Sequence, residues 1–286
     1  CSVQRRSREH ATGWKREDVL GRNWFEMFVP TGISGAQEVF SALLNDLASA
    51  RHHESEIRTR AGETRLIRWN NSVLRSSSGE VIGTASIGED ITDSKLEEVR
   101  TKRLNRVYAV MSGINATIVR VRERDELFRE VCRIAVDDGH FRLAWIGTVD
   151  RDAGKVSPLA WRGVGSANQD IVSLGMNETI AATYGLAEWV VSERKAIVAN
   201  DIDIDARFAL AAEGALRGLH SLAALPLETA RGSYAVLALY AGEKGFFDDQ
   251  EIKLLRELAG DIAFALENIA RQERLDYLAL YDPLTG

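Results

Sequence analysis

Apolar positions along the first ninety residues fall into three rhythms. In GWKREDVLGRNWFEMFVP (residues 13–30) they come in short clusters punctuated by Gly13, Gly21 and Pro30, which predicts brief helical pieces. In residues 35–50, Val39, Phe40, Leu43, Leu44 and Leu47 keep helical spacing and predict one amphipathic helix. Then the period drops to two. ESEIRTR (54–60), TRLIRWNNSVLR (64–75) and VIGTASIGEDIT (81–92) are separated by the turns AGE and SSSGE, the pattern of an antiparallel meander. On the middle run Ile67, Trp69, Asn71 and Val73 share one face, and Leu66, Arg68, Asn70 and Ser72 the other. The first set is expected to face the core.

The period changes again after Asp93. Leu104, Val107, Met111, Ile114, Ile118 and Val121 step by 3, 4, 3, 4, 3, which is heptad spacing. Such a stripe suits a two-stranded dimer seam, and also a helix packed on its own domain; the seam is the expectation carried forward. FRLAWIGTV (141–149) and GKVSPLAWRG (154–163) predict a strand pair. A helix-rich stretch (166–195) follows, with Trp189 and Val190 on its apolar side. AIVAN (196–200) predicts a short strand, residues 201–218 a loop entering a helix, and SLAALPLE (221–228) with SYAVLALYAG (233–242) a second strand pair. A long helix is expected over 247–275, with Asp248 or Asp249 as N-cap. Its Ile252, Leu255, Ala259, Ile262, Leu266 and Ile269 repeat the heptad step, extending the expected dimer seam. The fold class is therefore α+β: two small antiparallel-sheet domains, joined and followed by long heptad-patterned helices.

Composition narrows the partners. A length of 286 suits roughly two domains of about 100–200 residues. The net charge of −6, with Lys and Arg interspersed among Asp and Glu, argues against nucleic acid. The densest charge run, RVRERDELFRE (120–130), alternates in sign and reads as a solvated helix face. Cys1 and Cys132 have no metal or redox spacing and imply no disulfide framework, which suits a reducing cytoplasmic compartment. No run approaches the about 18 apolar residues of a membrane span, and CSVQRRSREH has no apolar core of a signal peptide. The chain begins without Met and closes on a turn-like DPLTG (282–286), so it is expected to be an excerpt of a longer protein.

Candidate chemistry is sparse. His10, His52, His53, His140 and His220 sit in turns or loops and read as solvated rather than as haem ligands. Trp145, Trp161 and Trp189 are candidates to wall a small-molecule pocket, with core packing as the alternative. Trp69 is a further candidate, and Asn71 and its neighbour Asn70 could donate to a ligand or bond within the sheet. Asp201, Asp203 and Asp205 alternate, yet the Gly and distal Glu of a calcium loop are missing. There is no phosphate loop, nucleophile elbow or His/Cys cluster, so no catalytic residue, metal site or cofactor is identifiable.

Three resemblances organise these pieces. Gly13-Trp14, EDVLGRNWFEMFVP, IRTRAGETRLIRWNNSVLRSSSGEVIG and above all GEDIT (88–92) resemble the C-terminal two-thirds of a PAS domain. The resemblance implies that Asp90, Ile91 and Thr92 hand a signal from the sheet to an outgoing helix. It also implies an incomplete domain with an open sheet edge. HFRLAWIGTVD, AIVANDIDIDARF and the run from SLAALPLE to DIAFALE resemble a GAF domain. Some GAF-fold enzymes reduce oxidised methionine with several pocket cysteines, and Cys132 alone does not match them. Asp282, Leu284, Thr285 and Gly286 resemble the opening of a GGDEF domain, which condenses GTP to cyclic di-GMP. The implied layout is partial PAS (1–92), linking helix (93–121), GAF (122–247, sharing helix 105–121), output helix (248–280) and the start of GGDEF (281–286). The implied function is a cytoplasmic, homodimeric sensor with an unknown small-molecule ligand, controlling cyclic di-GMP synthesis through helix rearrangement. GTP and magnesium would belong to the GGDEF domain. A non-catalytic ligand-binding or dimerisation module with a degenerate output stays open as the alternative.

Overall fold

The computed structural model describes residues 12–29, 36–45, 50–150, 155–163, 180–205, 207, 218–229 and 232–280. The chain divides into two compact units, Cys1–Arg100 and Thr101–Gly286.

The first unit opens with α1 (Arg16–Val19), α2 (Trp24–Phe28) and α3 (Ala36–Leu44), and continues into β1 (His52–Arg58), β2 (Thr64–Arg75) and β3 (Val81–Asp90). Asn23 starts α2 by accepting from the Phe25 amide at 3.0 Å, as an N-cap does. The strands form an antiparallel sheet in the order β1-β2-β3, with β1 and β3 as its edges. The alternation predicted for β2 holds: Ile67, Trp69 and Asn71 are buried, Val73 is half-buried, and Arg68, Asn70 and Ser72 are exposed. Phe28, Ile57, Ile67 and Trp69 form the core, flanked by Trp14, Val19, Trp24 and Met27. Trp24 meets Trp69 edge-on at 5.7 Å, a favoured aromatic geometry. On β3, Gly88 leaves room for this packing. A Cβ there would lie 2.7 Å from both Ile67 and Trp69.

Helix α4 (Thr92–Arg120) begins in the first unit and ends in the second. The second unit continues with α5 (Arg124–Asp137), β4 (Leu143–Asp150), β5 (Lys155–Gly163), α6 (Ile180–Glu193), β6 (Ile197–Ala199), β7 (Ser221–Thr229), β8 (Gly232–Ala241) and α7 (Asp249–Leu280). Its sheet is antiparallel throughout, in the order β5-β4-β8-β7-β6. Both faces of this sheet are covered, so its central strands are almost continuously apolar. On β8, Ala235, Leu237, Leu239 and Ala241 belong to one core, and Val236, Ala238 and Tyr240 to another. On β4, Ala144 and Ile146 face the first core, and Leu143 and Trp145 the second. The first core is closed by α4, α5 and α7; the second is closed in part by Ala187 and Val190 of α6. Within the charge run of 120–130, only the polar positions are solvated: Leu127 and Phe128 are fully buried on α5.

The heptad stripes need a correction. Val107 and Ile114 of α4 are fully buried in the first core, as are Leu255 and Ile262 of α7, and Ile269 is buried with them. Met111 and Ile118 are half-buried against the same core, and Leu104 is half-buried. The stripes are thus where these helices pack on their own sheet, and the buried members have no surface left for a second chain. Burying such side chains contributes about 1.5–3 kcal/mol each relative to exposure, which explains why the spacing is kept.

Candidate functional site

The face of the second sheet under α6 carries the aromatic groups. Trp145 on β4 is buried, and Trp161 is its register partner on β5. Tyr240 on β8 is buried beside them in the same core as Trp145. Burial pushes the Tyr240 phenol up, and a hydrogen bond with Trp145 pulls it the other way. Trp161 is 46 % exposed and Trp189, on α6, 43 % exposed. Of the three tryptophans read from the sequence, one is therefore a core residue and two border the surface. Among the described residues this face carries aromatic and aliphatic side chains together with the buried Tyr240 hydroxyl.

Trp69 and Asn71 are occupied within the first sheet. Trp69 Nε1 donates to Ser55 Oγ at 2.9 Å. Asn71 Nδ2 donates to the Ala50 carbonyl at 2.8 Å and lies 3.2 Å from His53 Nδ1. Burial lowers the His53 pKa, favouring the neutral ring. A shallow cleft of about 240 Å³ lies elsewhere in this unit, beside Thr12, Thr59, Glu63, Arg65 and Asp90.

Asp90, Ile91 and Thr92 form a clasp. Asp90 Oδ1 accepts from the Thr92 amide (3.0 Å) and from Thr92 Oγ1 (2.6 Å). Thr92 Oγ1 in turn accepts from the Leu66 amide of β2 at 2.8 Å. The Ile91 amide donates to the Leu66 carbonyl at 2.9 Å, the Ile91 carbonyl accepts from Lys95, and the Ile91 side chain is buried. The first turn of α4 is thereby stitched to the middle strand of the first sheet.

A second node, which the sequence reading missed, surrounds the β8–α7 connection (residues 242–248). Asn200 Nδ2 donates to the Phe247 carbonyl (2.7 Å) and its Oδ1 accepts from the Phe247 amide (2.9 Å). The fully buried Ser221 hydroxyl donates to the Glu243 carbonyl (2.6 Å), with the Asn200 carbonyl as the alternative acceptor at 3.1 Å. From α4, Arg106 donates to the carbonyls of Gly139 (2.9 Å) and His140 (2.6 Å) and to Glu243 (2.6 Å), lying 4.7 Å over the Phe246 ring. Arg103 donates to the Gly245 carbonyl at 2.5 Å. No motif announces this node; its signal is only the polar residues Asn200 and Ser221 flanking apolar strands.

The alternating aspartates are paired with cations. Lys244 Nζ lies 3.0 Å from both Asp201 and Asp203, His220 lies 3.2 Å from Asp203, and Arg207 pairs with Asp205. Lys244 holds the Asp203 carboxyl below its usual range. No group of three or more His, Cys, Asp or Glu could hold a metal among the described residues. His52 lies 2.6 Å from Asn70 Oδ1, His140 adopts φ 54°, and His10 lies outside the described residues. Cys132 is fully buried in the first core, and burial pushes its thiol up to about 12, so it is inert. Residues 282–286 also lie outside the described residues. No helix among the described residues is long and apolar enough to cross a membrane.

A covered antiparallel sheet with an aromatic inner face, and a smaller sheet clasped to an outgoing helix, define a signal-sensing module of α+β class. Family models divide the chain the same way: GAF domain matches residues 121–267 and PAS fold matches residues 3–96. The first match spans more than half of the chain, and the chain belongs to the GAF domain family. Solved structures similar to it include the GAF domain of a phosphoenolpyruvate-protein phosphotransferase from Acinetobacter, with 14 % identity, 60 % of this chain and 94 % of that one covered, and a TM-score of 0.43. The corresponding domain from Coxiella burnetii has 13 % identity, 60 % and 98 % coverage, and a TM-score of 0.45. A free methionine-R-sulfoxide reductase from Neisseria meningitidis, in complex with its substrate, has 14 % identity, 58 % and 91 % coverage, and a TM-score of 0.45. No curated protein matches the chain.

Proposed function

We propose that this PAS–GAF module is the cytoplasmic, homodimeric regulatory region of a GGDEF-type signalling protein and controls cyclic di-GMP synthesis. The observation that carries the proposal is α7. Its length to Ile269 is built into the GAF core, whereas residues 270–276 are all exposed, and the GGDEF-like DPLTG begins six residues after them, at Asp282. A helix anchored at one end and solvated at the other suits transmission from a folded sensor to an output. Ligand occupancy of the Trp145–Trp161 face would shift the population of helix arrangements only by the difference in affinity between the two states. Asp90, Ile91 and Thr92 would set the start of α4 in the same way from the PAS sheet.

The test has two arms, the first on the full-length protein. Purified protein incubated with GTP and magnesium is expected to form cyclic di-GMP; an unproductive reaction together with a downstream sequence lacking a Gly-Gly-Asp/Glu-Glu-Phe loop would sink the catalytic output. A metabolite thermal-shift screen on the present chain tests sensing. A raised melting point that disappears on Trp161→Ala supports the pocket, and a silent screen removes it.

A further inference from the structure

The start of α7 holds a carboxyl pair that ligand sensing does not use. Asp248 Oδ1 accepts from the amides of Gln250 (2.7 Å) and Glu251 (3.2 Å), and Glu251 Oε2 accepts from the Asp248 amide (2.9 Å). This is a reciprocal capping box with Asp in the place of the usual Ser or Thr. Acidic groups at a helix N-terminus are ordinarily stabilising because of the dipole. Here, however, Glu251 is 1 % exposed, and its Oε1 has no hydrogen-bond partner among the described residues. A buried carboxylate with one unsolvated oxygen and a second carboxylate beside it prefers to hold a proton.

The cations of the neighbouring elements are directed elsewhere. Arg106 of α4 pairs with Glu243, Arg103 bonds the Gly245 carbonyl, and Lys244 is held by Asp201 and Asp203. His140, after α5, contributes its carbonyl to Arg106, and His220, before β7, faces Asp203. Asp248 is the charged group that acts on Glu251. Burial first, and then the hydrogen bond between the two carboxyls, push Glu251 up to about 7.

We infer that the Asp248–Glu251 pair is a proton-operated cap on α7. With one proton shared between the carboxyls the first turn is closed. Loss of that proton leaves a charge on the buried Glu251 next to the exposed Asp248, and loosens the first turn together with the connection leading into it. That connection is where Asn200, Ser221, Arg103 and Arg106 converge, so the cap bears on the anchoring of α4 as well as on the start of α7. The device lies within the GAF unit and stands whatever output follows α7.

The folded state binds the Glu251 proton more tightly than the unfolded chain does. The cap's contribution is therefore full below the ordinary 4.5 and is lost as pH rises through about 7. The experiment is urea unfolding of the intact chain from about pH 5 to 8.5, for wild type and Glu251→Gln. Gln keeps the shape and the acceptor for the Asp248 amide while removing the titration. Over that range the wild-type unfolding constant is expected to rise on the order of 10- to 100-fold relative to Glu251→Gln. Hydrogen exchange of the first α7 turn is expected to quicken with pH, beyond the intrinsic dependence, in wild type only. Parallel pH profiles for the two proteins would overturn the inference. Should the variant fail to fold, the wild type with ¹³C-labelled glutamate carboxyls decides: one carboxyl titrating near 7 supports the cap, and none titrating above about 6 rejects it.

Discussion

Arg106 ties α4 to two connections of the GAF core, and its removal can be costed from its partners. Arg106→Ala takes three hydrogen bonds and two ring contacts, over Phe141 and Phe246, from the α5–β4 and β8–α7 connections. Gly139 is buried, so its carbonyl is left without a partner, a loss of about 1–3 kcal/mol. The cation–π contact over Phe246 adds about 0.5–1 kcal/mol. Glu243 is half exposed and its ion pair adds less than about 1 kcal/mol. His140 is exposed, so its carbonyl regains water and adds little. The sum is about 3 kcal/mol. Arg106→Lys keeps the charge but cannot reach three acceptors from one planar group, and about half that loss is expected. Urea unfolding of the intact chain gives the magnitude. Hydrogen exchange of the buried α7 amides assigns the transition to the second unit, since two units need not unfold together. A loss below about 1 kcal/mol for Arg106→Ala, or no difference between Lys and Arg, would refute the assignment.

Three further outcomes are expected. Gly88→Ala drives a methyl into Ile67 and Trp69 and should destabilise the first unit by about 1–3 kcal/mol; an unchanged near-ultraviolet signal from its tryptophans on urea titration would contradict this. Cys132 should resist a thiol reagent in the native chain and react only as fast as the second unit opens, so peptide mapping that shows prompt modification at Cys132 would count against its burial. The proposed homodimer must use apolar positions that the core leaves free, of which Phe264 on α7 is 64 % exposed; Phe264→Glu is expected to shift sedimentation toward monomer, and an unaltered profile would move the contact elsewhere.

Much of the fold was legible because local period and burial agree wherever one face is wet. The β2 alternation placed Ile67, Trp69 and Asn71 inward, and of the two candidate caps Asp248 and Asp249 it is Asp248 that caps α7. Legibility falls where both faces are buried. In SYAVLALYAG every residue from Ala235 to Ala241 is buried, so no alternation separates the side facing α7 from the side carrying Tyr240. The candidate site suffers for the same reason: Trp145 and Trp161 are equally apolar letters, and only register and exposure distinguish a core residue from one at the rim. The Asn200–Ser221 node was illegible because its hydrogen bonds join residues more than twenty positions apart and use backbone groups, which carry no sequence signature.

The heptad stripes carry the sharper lesson. A step of 3, 4, 3, 4 states that one helix face is apolar; it does not state what lies against it. On α4 and α7 the answer is the GAF sheet, because Val107, Ile114, Leu255 and Ile262 have no exposed surface. Exposed apolar residues on other faces of the same helices include Tyr108 and Val119 on α4 and Phe264 and Leu275 on α7, while Leu96 and Val99 are exposed nearer the start of α4. A second chain meeting Tyr108, Val119 or Phe264 would meet a face turned away from the stripe, with polar neighbours such as Ser112, Asn115, Asp261 and Asn268. Such a contact is less apolar than a coiled-coil seam and exchanges partners at a smaller energetic cost. In the proposed homodimer, core positions would hold α4 and α7 to the GAF sheet, and the weaker outer face would be free to change register without unfolding that domain.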